Sequence, residues 1–108
     1  MSKITTATTG VGTTETTVYT CPTGKETTIS RFSITGTKDV TDLKLKYYNS
    51  SSSSIIALVD SGVINSGDTI SYISNSNTLT MNPSDYLSVL SNVDSSLDIL
   101  ITYEETDA

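Results

Sequence analysis

The side chains that usually carry catalysis are scarce in this chain, and their spacing matches no catalytic motif. The sequence has no histidine, which removes Ser-His-Asp and Cys-His catalysis and the commonest ligand for zinc, copper and iron. It contains no Ser-x-x-Lys pair, no glycine-rich phosphate loop and no Gly-x-Ser-x-Gly turn. We therefore expect a protein that is not an enzyme and that uses no cofactor and no small-molecule substrate.

The twelve carboxylates are the remaining candidates for metal chemistry. Asp60, Asp68 and Asp85 flank predicted turns, where an Asp side chain commonly hydrogen-bonds the nearby backbone. The same oxygens are the ligands that calcium prefers. Turn formation is the favoured interpretation of these residues, and a weak calcium site in the loops is the alternative.

Cysteine and tyrosine allow two further interpretations. Cys21 is the single cysteine, so no internal disulfide can form and nothing indicates an oxidising compartment. Its place before a proline favours a structural role over a reactive thiol. Six tyrosines without tryptophan could line a sugar-binding face, but Tyr47 and Tyr103 are predicted to point into the core.

The charge balance limits the classes of partner. The net charge is −6 and the pI is about 4.2, which argues against nucleic acid and anionic membrane. No signal-like apolar run follows Lys3, and no apolar stretch approaches the roughly 20 residues of a membrane span. We expect a protein of a soluble compartment or one that is assembled into a larger structure.

The pattern of apolar residues predicts an all-β fold. Ser and Thr make up about a third of the chain, and the apolar residues are mostly β-formers in short runs. Eight or nine such runs recur at intervals of roughly 8–12 residues, which is typical of a sandwich or barrel. We predict a two-layer antiparallel β-sandwich or jelly-roll-like fold with little or no helix. The expected strands cover residues 3–9, 14–20, 26–35, 43–48, 55–60, 69–73, 78–81, 86–91 and 97–104.

Two proline-led turns organise the chain. Residues 18–34 read as two β-runs joined by a hairpin, with Pro22 at the second position of a type I turn and Gly24 in the left-handed conformation of a bulge. The segment 82–85 reads as a second proline-led type I turn. Residues 1–12 are predicted to be a Thr-rich arm or edge strand, and residues 13–108 a single sandwich domain.

The segment 55–60 is the strongest candidate for a contact surface. An isolated two-layer sandwich needs strands that are apolar on one face only, whereas this segment is apolar on both. With Ile55, Ala57 and Val59 assigned to the core, two aliphatic side chains remain on the opposite face. The alternative is that the serine loop at residues 50–54, or the arm, covers them within one chain. The residues predicted to contact a partner are Ile56, Leu58, Leu100, Ile4, Thr5 and Thr6.

Several stretches resemble small β-sandwich structural proteins of tailed bacteriophages. The first is Val18-Tyr19-Thr20-Cys21-Pro22-Thr23-Gly24-Lys25, which resembles a Val-Tyr-Thr-x-Pro-x-Gly-Lys stretch of these proteins. The second is Leu79-Thr80-Met81-Asn82-Pro83-Ser84-Asp85, which resembles an apolar pair before Asn-Pro-Gly-Asp. The alternating segment 97–104 is similar to their closing strand. Ser84 and Cys21 depart from the pattern, since glycine and an apolar or small residue are usual there.

The resemblance implies a virion component made in the host cytoplasm. Small size, acidity and the Thr-rich arm favour a capsid decoration (cement) protein, which would bind the major capsid protein or another virion protein, stabilise the head and form a homo-oligomer. A neck, tail or fibre component is the alternative within the virion. A lectin-like binding sandwich is the alternative outside it.

Overall fold

The structure is a computed structural model that describes residues 3–108, and these residues form nine β-strands and no helix. All the strand pairs are antiparallel, so the predicted all-β class is confirmed. The strands are β1 (Ile4–Val11), β2 (Thr16–Thr20), β3 (Lys25–Gly36), β4 (Val40–Asn49), β5 (Ser54–Ile64), β6 (Thr69–Ile73), β7 (Leu79–Met81), β8 (Tyr86–Leu90) and β9 (Leu97–Asp107).

Two sheets pack face to face. Sheet A has the strand order β1-β9-β3-β6, with β7 also paired to β3, and sheet B has the order β2-β8-β4-β5. The chain passes repeatedly from one sheet to the other, so that most neighbouring strands in a sheet are distant in sequence. This is the arrangement of a jelly roll.

The core lies between the sheets and is supplied by alternating residues. Along β9, Leu97, Ile99, Ile101 and Tyr103 are buried while the residues between them are only partly so. Strand β4 buries Leu43, Leu45 and Tyr47 in the same way. Successive side chains of a strand point to opposite faces, and the predicted inward positions of Tyr47 and Tyr103 are confirmed.

A bulge in β3 changes the predicted faces of that strand. The sequence alternation places Ile29 opposite to Phe32 and Ile34, yet all three are fully buried. The register with β9 shifts between Ile29 and Arg31, which inserts Ser30 as an extra residue. A bulge of this kind reverses the alternation once, so Ile29 shares the core face with Phe32 and Ile34, contrary to strict alternation.

The predicted hairpin around Gly24 is instead a crossing between sheets. Strand β2 pairs with β8 in sheet B, whereas β3 pairs with β9 in sheet A. The amide of Lys25 donates to the carbonyl of Pro22 over 3.1 Å, so Pro22 is the first residue of the turn and not the second. The positive φ of Gly24, 80°, is confirmed; at the third turn position it indicates type II geometry.

The turn at residues 82–85 has Pro83 at its second position, as predicted, but is not type I. The amide of Asp85 donates to the carbonyl of Asn82 over 3.0 Å. Ser84 has a φ of 72°, and a positive φ at the third position indicates a type II turn. Ser84 therefore adopts a conformation that glycine would adopt without strain.

Strand β1 is an edge strand of sheet A. It pairs with β9 from Ile4 opposite Tyr103 to Val11 opposite Leu97. This arrangement within one chain corresponds to the edge-strand interpretation of the N-terminal segment, whose residues 1 and 2 lie outside the described part. Contact of β1 with a neighbouring subunit stays a prediction.

Candidate contact surface

Strand β5 is an edge of sheet B that exposes large apolar side chains. It pairs with β4 on one side, and no strand within residues 3–108 pairs with its other side. The exposed fractions are 59% for Ile55, 47% for Ile56, 42% for Leu58 and 58% for Val63. Neither β1, which lies in the other sheet, nor the serine loop buries these side chains. Several large apolar side chains exposed along one strand of a small protein make that strand a candidate contact site.

The first half of β5 faces the opposite way from the prediction. Directly opposed residues of an antiparallel pair share a face. Ile56 lies opposite Tyr47, which points into the core, and Ile55 lies opposite Tyr48, which points outward. The assignment of Ile55 to the core is therefore wrong, as is the placement of Ile56 on the outer face.

A bulge at Leu58 is the reason for this reversal. Lys46 pairs with Ala57 and Leu45 pairs with Val59, so Leu58 is an extra residue on β5. Ala57 is exposed and thus also outside the core, contrary to expectation. Strand β5 also continues past residue 60 to Ile64, where a turn was predicted.

An apolar cleft opens beside β5, between the edges of the two sheets. Its volume is about 260 Å³. Leu58 and Val59 form the wall from sheet B, and the opposite wall comes from β6 and β7 of sheet A. The cleft is lined by Leu45, Leu58, Val59, Tyr72, Ile73, Asn77, Thr78 and Leu79. The core is thus left partly open along this side of the sandwich.

The apolar strip extends from β5 onto the outer face of sheet B. Tyr48, opposite Ile55, stacks on Tyr86 of β8 with ring centroids 4.8 Å apart and planes inclined by 19°. Offset stacking of this kind fixes both rings. We name the exposed residues of β5 together with this tyrosine pair the β5 surface: Ile55, Ile56, Leu58, Val63, Tyr48 and Tyr86.

Charges next to the β5 surface are paired within the chain. The Lys44 ammonium lies 2.7 Å from a carboxylate oxygen of Asp60 and 3.3 Å from one of Asp42. The Lys46 ammonium lies 2.9 Å from Glu15. The hydrogen bond to Lys44 lowers the pKa of Asp60, and the bonds to Asp60 and Asp42 raise the pKa of Lys44. Exposed pairs of this kind stabilise little, and because Lys44 is shared by two aspartates the group as a whole carries one net negative charge.

The other predicted contact residues lie elsewhere on the molecule. Leu100 is opposite Ala7 in sheet A, where it is partly buried. Ile4, Thr5 and Thr6 lie on β1, also in sheet A, and are exposed. The structure therefore brings Ile56 and Leu58 together but does not bring the other four to the same surface.

The buried carboxylate of Asp85 is held by hydrogen bonds and serves the fold. Its oxygens accept hydrogen bonds from the Tyr47 hydroxyl, from the amide and hydroxyl of Ser50, both at 2.8 Å, and from the amide of Asn82 at 3.0 Å. Burial raises the pKa of Asp85, but these four hydrogen bonds outweigh it and the pKa is lowered. The carboxylate is fully occupied in holding the serine loop to the turn at residues 82–85.

A second buried polar cluster links the two sheets. Tyr19 of sheet B donates its hydroxyl to Glu105 of sheet A over 2.6 Å and lies 2.7 Å from the hydroxyl of Thr27. Burial, followed by the bond to Glu105, raises the pKa of Tyr19. Cys21 lies 3.2 Å from the Thr27 hydroxyl and is buried, as its structural interpretation requires. This cluster presents no nucleophile to solvent.

Two further features are absent from residues 3–108. No three His, Cys, Asp or Glu side chains of this part of the chain converge as metal ligands would. No helix that is long and apolar enough to span a bilayer occurs among the described residues.

The fold is shared with a solved structure. No family model matches the sequence, and no curated protein matches it either. The similar structure is a chain from work described as "Bacillus endospore appendages form a novel family of disulfide-linked pili". Its TM-score is 0.55 at 13% identity, covering 98% of this chain and 85% of that one. At this identity the likeness shows a common β-sandwich architecture alone.

Sequence reasoning missed part of the β5 surface. Strict alternation places Ile55 in the core, because the bulge at Leu58 has no clear sequence signal. Gly62 favours a turn and so gives no indication that Val63 is part of a strand, whereas Gly62 lies in β5 opposite Leu43. The stacking of Tyr48 on Tyr86 depends on the pairing of β4 with β8, which local pattern does not specify.

Proposed function

We propose that this protein is a non-enzymatic structural subunit that acts by assembly into a larger particle. The observation that carries the proposal is the β5 surface, which is apolar and is left exposed by the rest of residues 3–108. Side chains of this size are commonly buried against a partner when they form a contiguous patch. The polar clusters at Asp85 and Tyr19 are internally satisfied and serve the fold.

Within this role, we propose a capsid decoration protein of a tailed phage, located in the virion after synthesis in the host cytoplasm. The first support is that stretches in residues 16–104 resemble virion sandwich proteins. The second is the net charge of −6, which disfavours nucleic acid and anionic membrane as partners. The partner would be the major capsid protein or another virion structural protein. A neck, tail or fibre position is the alternative within the particle.

A second candidate is a subunit of an extracellular appendage. The observation that favours it is the shared architecture with the endospore appendage chain. That structure is described as disulfide-linked, whereas the single cysteine of this chain is buried in the core. A disulfide between subunits would require Cys21 to leave the core, so the virion role is preferred.

Purified particles test the proposal. Antibodies raised against the recombinant protein would label phage heads in immunogold electron microscopy, and mass spectrometry would find hundreds of copies per virion. A few to dozens of copies, with label on the tail, would indicate the neck, tail or fibre role. Label on cell-surface filaments would support the appendage role. Absence from all particles, with binding on a glycan array, would replace the structural role by a lectin-like one.

A further inference from the structure

The unpaired side of β5 is a strand edge that is open to pairing. Every second residue of an antiparallel edge strand directs its N–H and C=O groups away from its neighbour. Proteins usually protect such edges with proline, with charged side chains or with short strands. Strand β5 has eleven residues, its first six residues carry no charge and no proline, and the four residues 54–57 pair with β4 without a bulge.

The surface around this edge is self-complementary. In a two-fold arrangement the same patch must supply both the inserting side chains and the space that receives them. Strand β5 meets this requirement because Ile56 and Leu58 are exposed aliphatic groups on the side of the core, and Leu58 and Val59 also line the open cleft.

Charge favours a second copy over a charged partner. The one charged residue of β5 is Asp60, and it is paired with Lys44 at 2.7 Å. A second copy therefore meets no unpaired charge at the edge, and a basic or acidic partner finds no opposite charge there to recognise.

We propose that β5 pairs antiparallel with β5 of a second copy of this chain, which joins the two four-stranded sheets B into one continuous sheet. The inference rests on the proposed structural role and names the partner of the β5 surface. The two-fold axis passes near residues 55–57, where the strand is regular, and the aliphatic side chains of each copy cover the cleft side of the other.

The expected dimer is reversible. With the axis at residues 55–57, at most residues 54–60 of the two strands can pair, a length of about 24 Å, and a strip one sheet wide, about 10 Å, gives about 240 Å² per copy. Stable interfaces bury about 800 Å² per partner. The dissociation constant should thus lie in the micromolar to millimolar range, and repulsion between copies of charge −6 should make it tighter at higher salt.

Single cysteine variants test the pairing geometry. Ile55→Cys, Ile56→Cys and Ala57→Cys place a thiol at successive positions near the axis, while the buried Cys21 stays unreactive. A residue on the two-fold axis lies opposite the same residue of the second copy. One of the three variants should therefore form a disulfide dimer rapidly, and the other two more slowly. Thr17→Cys is the control, because Thr17 is exposed on β2, which lies at the opposite edge of the same sheet.

Sedimentation equilibrium up to about 1 mM tests the energetics. Ile55→Asp should weaken the dimer at least about tenfold, because it places a charge in the apolar contact, whereas Thr17→Asp, on the opposite edge of the sheet, should leave it unchanged. Circular dichroism and thermal unfolding would establish that both variants fold. Equal crosslinking at positions 17, 55, 56 and 57, or an unchanged dimer in folded Ile55→Asp, would overturn the pairing.

The same cysteine variants separate this inference from the proposed function. If the protein is present in particles but no β5 variant crosslinks in them or in solution, the pairing fails and the structural role stands. If β5 crosslinks specifically in solution and the protein is absent from every particle, the structural role fails and the pairing stands. A monomer at all concentrations whose β5 amides become protected only on adding purified capsids would overturn the pairing in favour of a different partner.

Discussion

At the residue scale, four serines occupy backbone positions that usually require glycine. Ser53, Ser61, Ser84 and Ser95 all have positive φ. An L-residue in the left-handed region costs roughly 1–2 kcal/mol relative to its preferred conformations. The strain is tolerated where hydrogen bonds define the turn, as they do for Ser84 between Asn82 and Asp85.

Replacement of Ser84 by glycine should stabilise the protein. Glycine removes the left-handed strain but loses more conformational entropy on folding, so we expect a net gain of about 0.5–1 kcal/mol in the free energy of unfolding. Urea denaturation of Ser84→Gly measures it. Ser51→Gly is the control, because Ser51 is in a turn without positive φ, and it should be neutral or slightly destabilising. A Ser84→Gly variant less stable than wild type would contradict this account of the turn.

Asp85 should be among the most sensitive polar positions. Its carboxylate accepts four hydrogen bonds in a buried site, and hydrogen bonds to charged groups contribute about 1.5–3 kcal/mol each. Asp85→Ala leaves the donors of Tyr47, Ser50 and Asn82 unpaired and should cost about 3 kcal/mol or more. Thermal unfolding measures the loss, and Asp68→Ala, an exposed turn residue, should change it little.

The same carboxylate should make stability pH-dependent. The pKa of Asp85 is lower in the folded protein than its ordinary value, so the carboxylate stabilises the fold above the unfolded pKa of about 4. This contribution is lost as the pH falls from there through the folded pKa. Asp85→Asn should therefore flatten the dependence of the unfolding free energy on pH below about 4. An unchanged slope would mean that the pH dependence comes from exposed carboxylates such as Asp60 and Asp107, whose pKa values are also lowered.

At the scale of single elements, the two sheets differ in how their edges are protected. Strand β1 is covered with small Thr side chains, and one of them, Thr5, shares a hydroxyl hydrogen bond of 3.0 Å with Thr102. Strand β5 instead carries large aliphatic groups beside an open cleft. Polar side chains make an edge strand less prone to pair with another chain, whereas apolar side chains leave it available for contacts. The two edges therefore suit different roles.

Strand β1 should exchange its amide hydrogens faster than the strand it pairs with. It is mostly exposed and buries little apolar surface, whereas β9 lies between β1 and β3. Hydrogen exchange of the isolated protein should show weaker protection at Thr5 to Thr8 than at Ile99 to Tyr103, and stronger protection at β1 in the assembled particle. Equal protection of the two strands in the isolated protein would mean that β1 is held as firmly as the core strands.

At the scale of the whole molecule, the fold depends on contacts between distant parts of the chain. Strand β1 pairs with β9, and β2 pairs with β8, so the first and last strands of each sheet come from opposite ends of the sequence. Closing such long loops must precede the pairing that stabilises them. The core is therefore incomplete until both ends of the chain have been placed.

Refolding should be slow for a protein of this size. Sandwiches dominated by long-range strand pairs fold in milliseconds to seconds, and we expect the refolding time to lie in that range or above it. Stopped-flow fluorescence of the tyrosines would follow formation of the core. The rings of Tyr19 and Tyr103, which come from different sheets, have their centroids 4.5 Å apart in the folded protein. Complete refolding within microseconds would contradict the dependence on long-range pairing.

Much of the fold could be predicted from the sequence because it depends on local signals. Alternating apolar residues determined the inward faces of β4 and β9, and proline with glycine marked the turn that ends β2. These features reflect the two-residue period of a strand and the preferred φ of single residues, which neighbours in sequence are sufficient to establish.

The rest was decided by tertiary structure, because it depends on which strands meet. The segment around Gly24 crosses between sheets, since β2 pairs with β8 and β3 with β9, and nothing in its residues distinguishes this from a hairpin. The bulges at Ser30 and Leu58 reverse the alternation only because the partner strands have fixed registers. A bulge adds one residue without changing composition, so the side chains that β5 exposes become known only when its pairing with β4 is known.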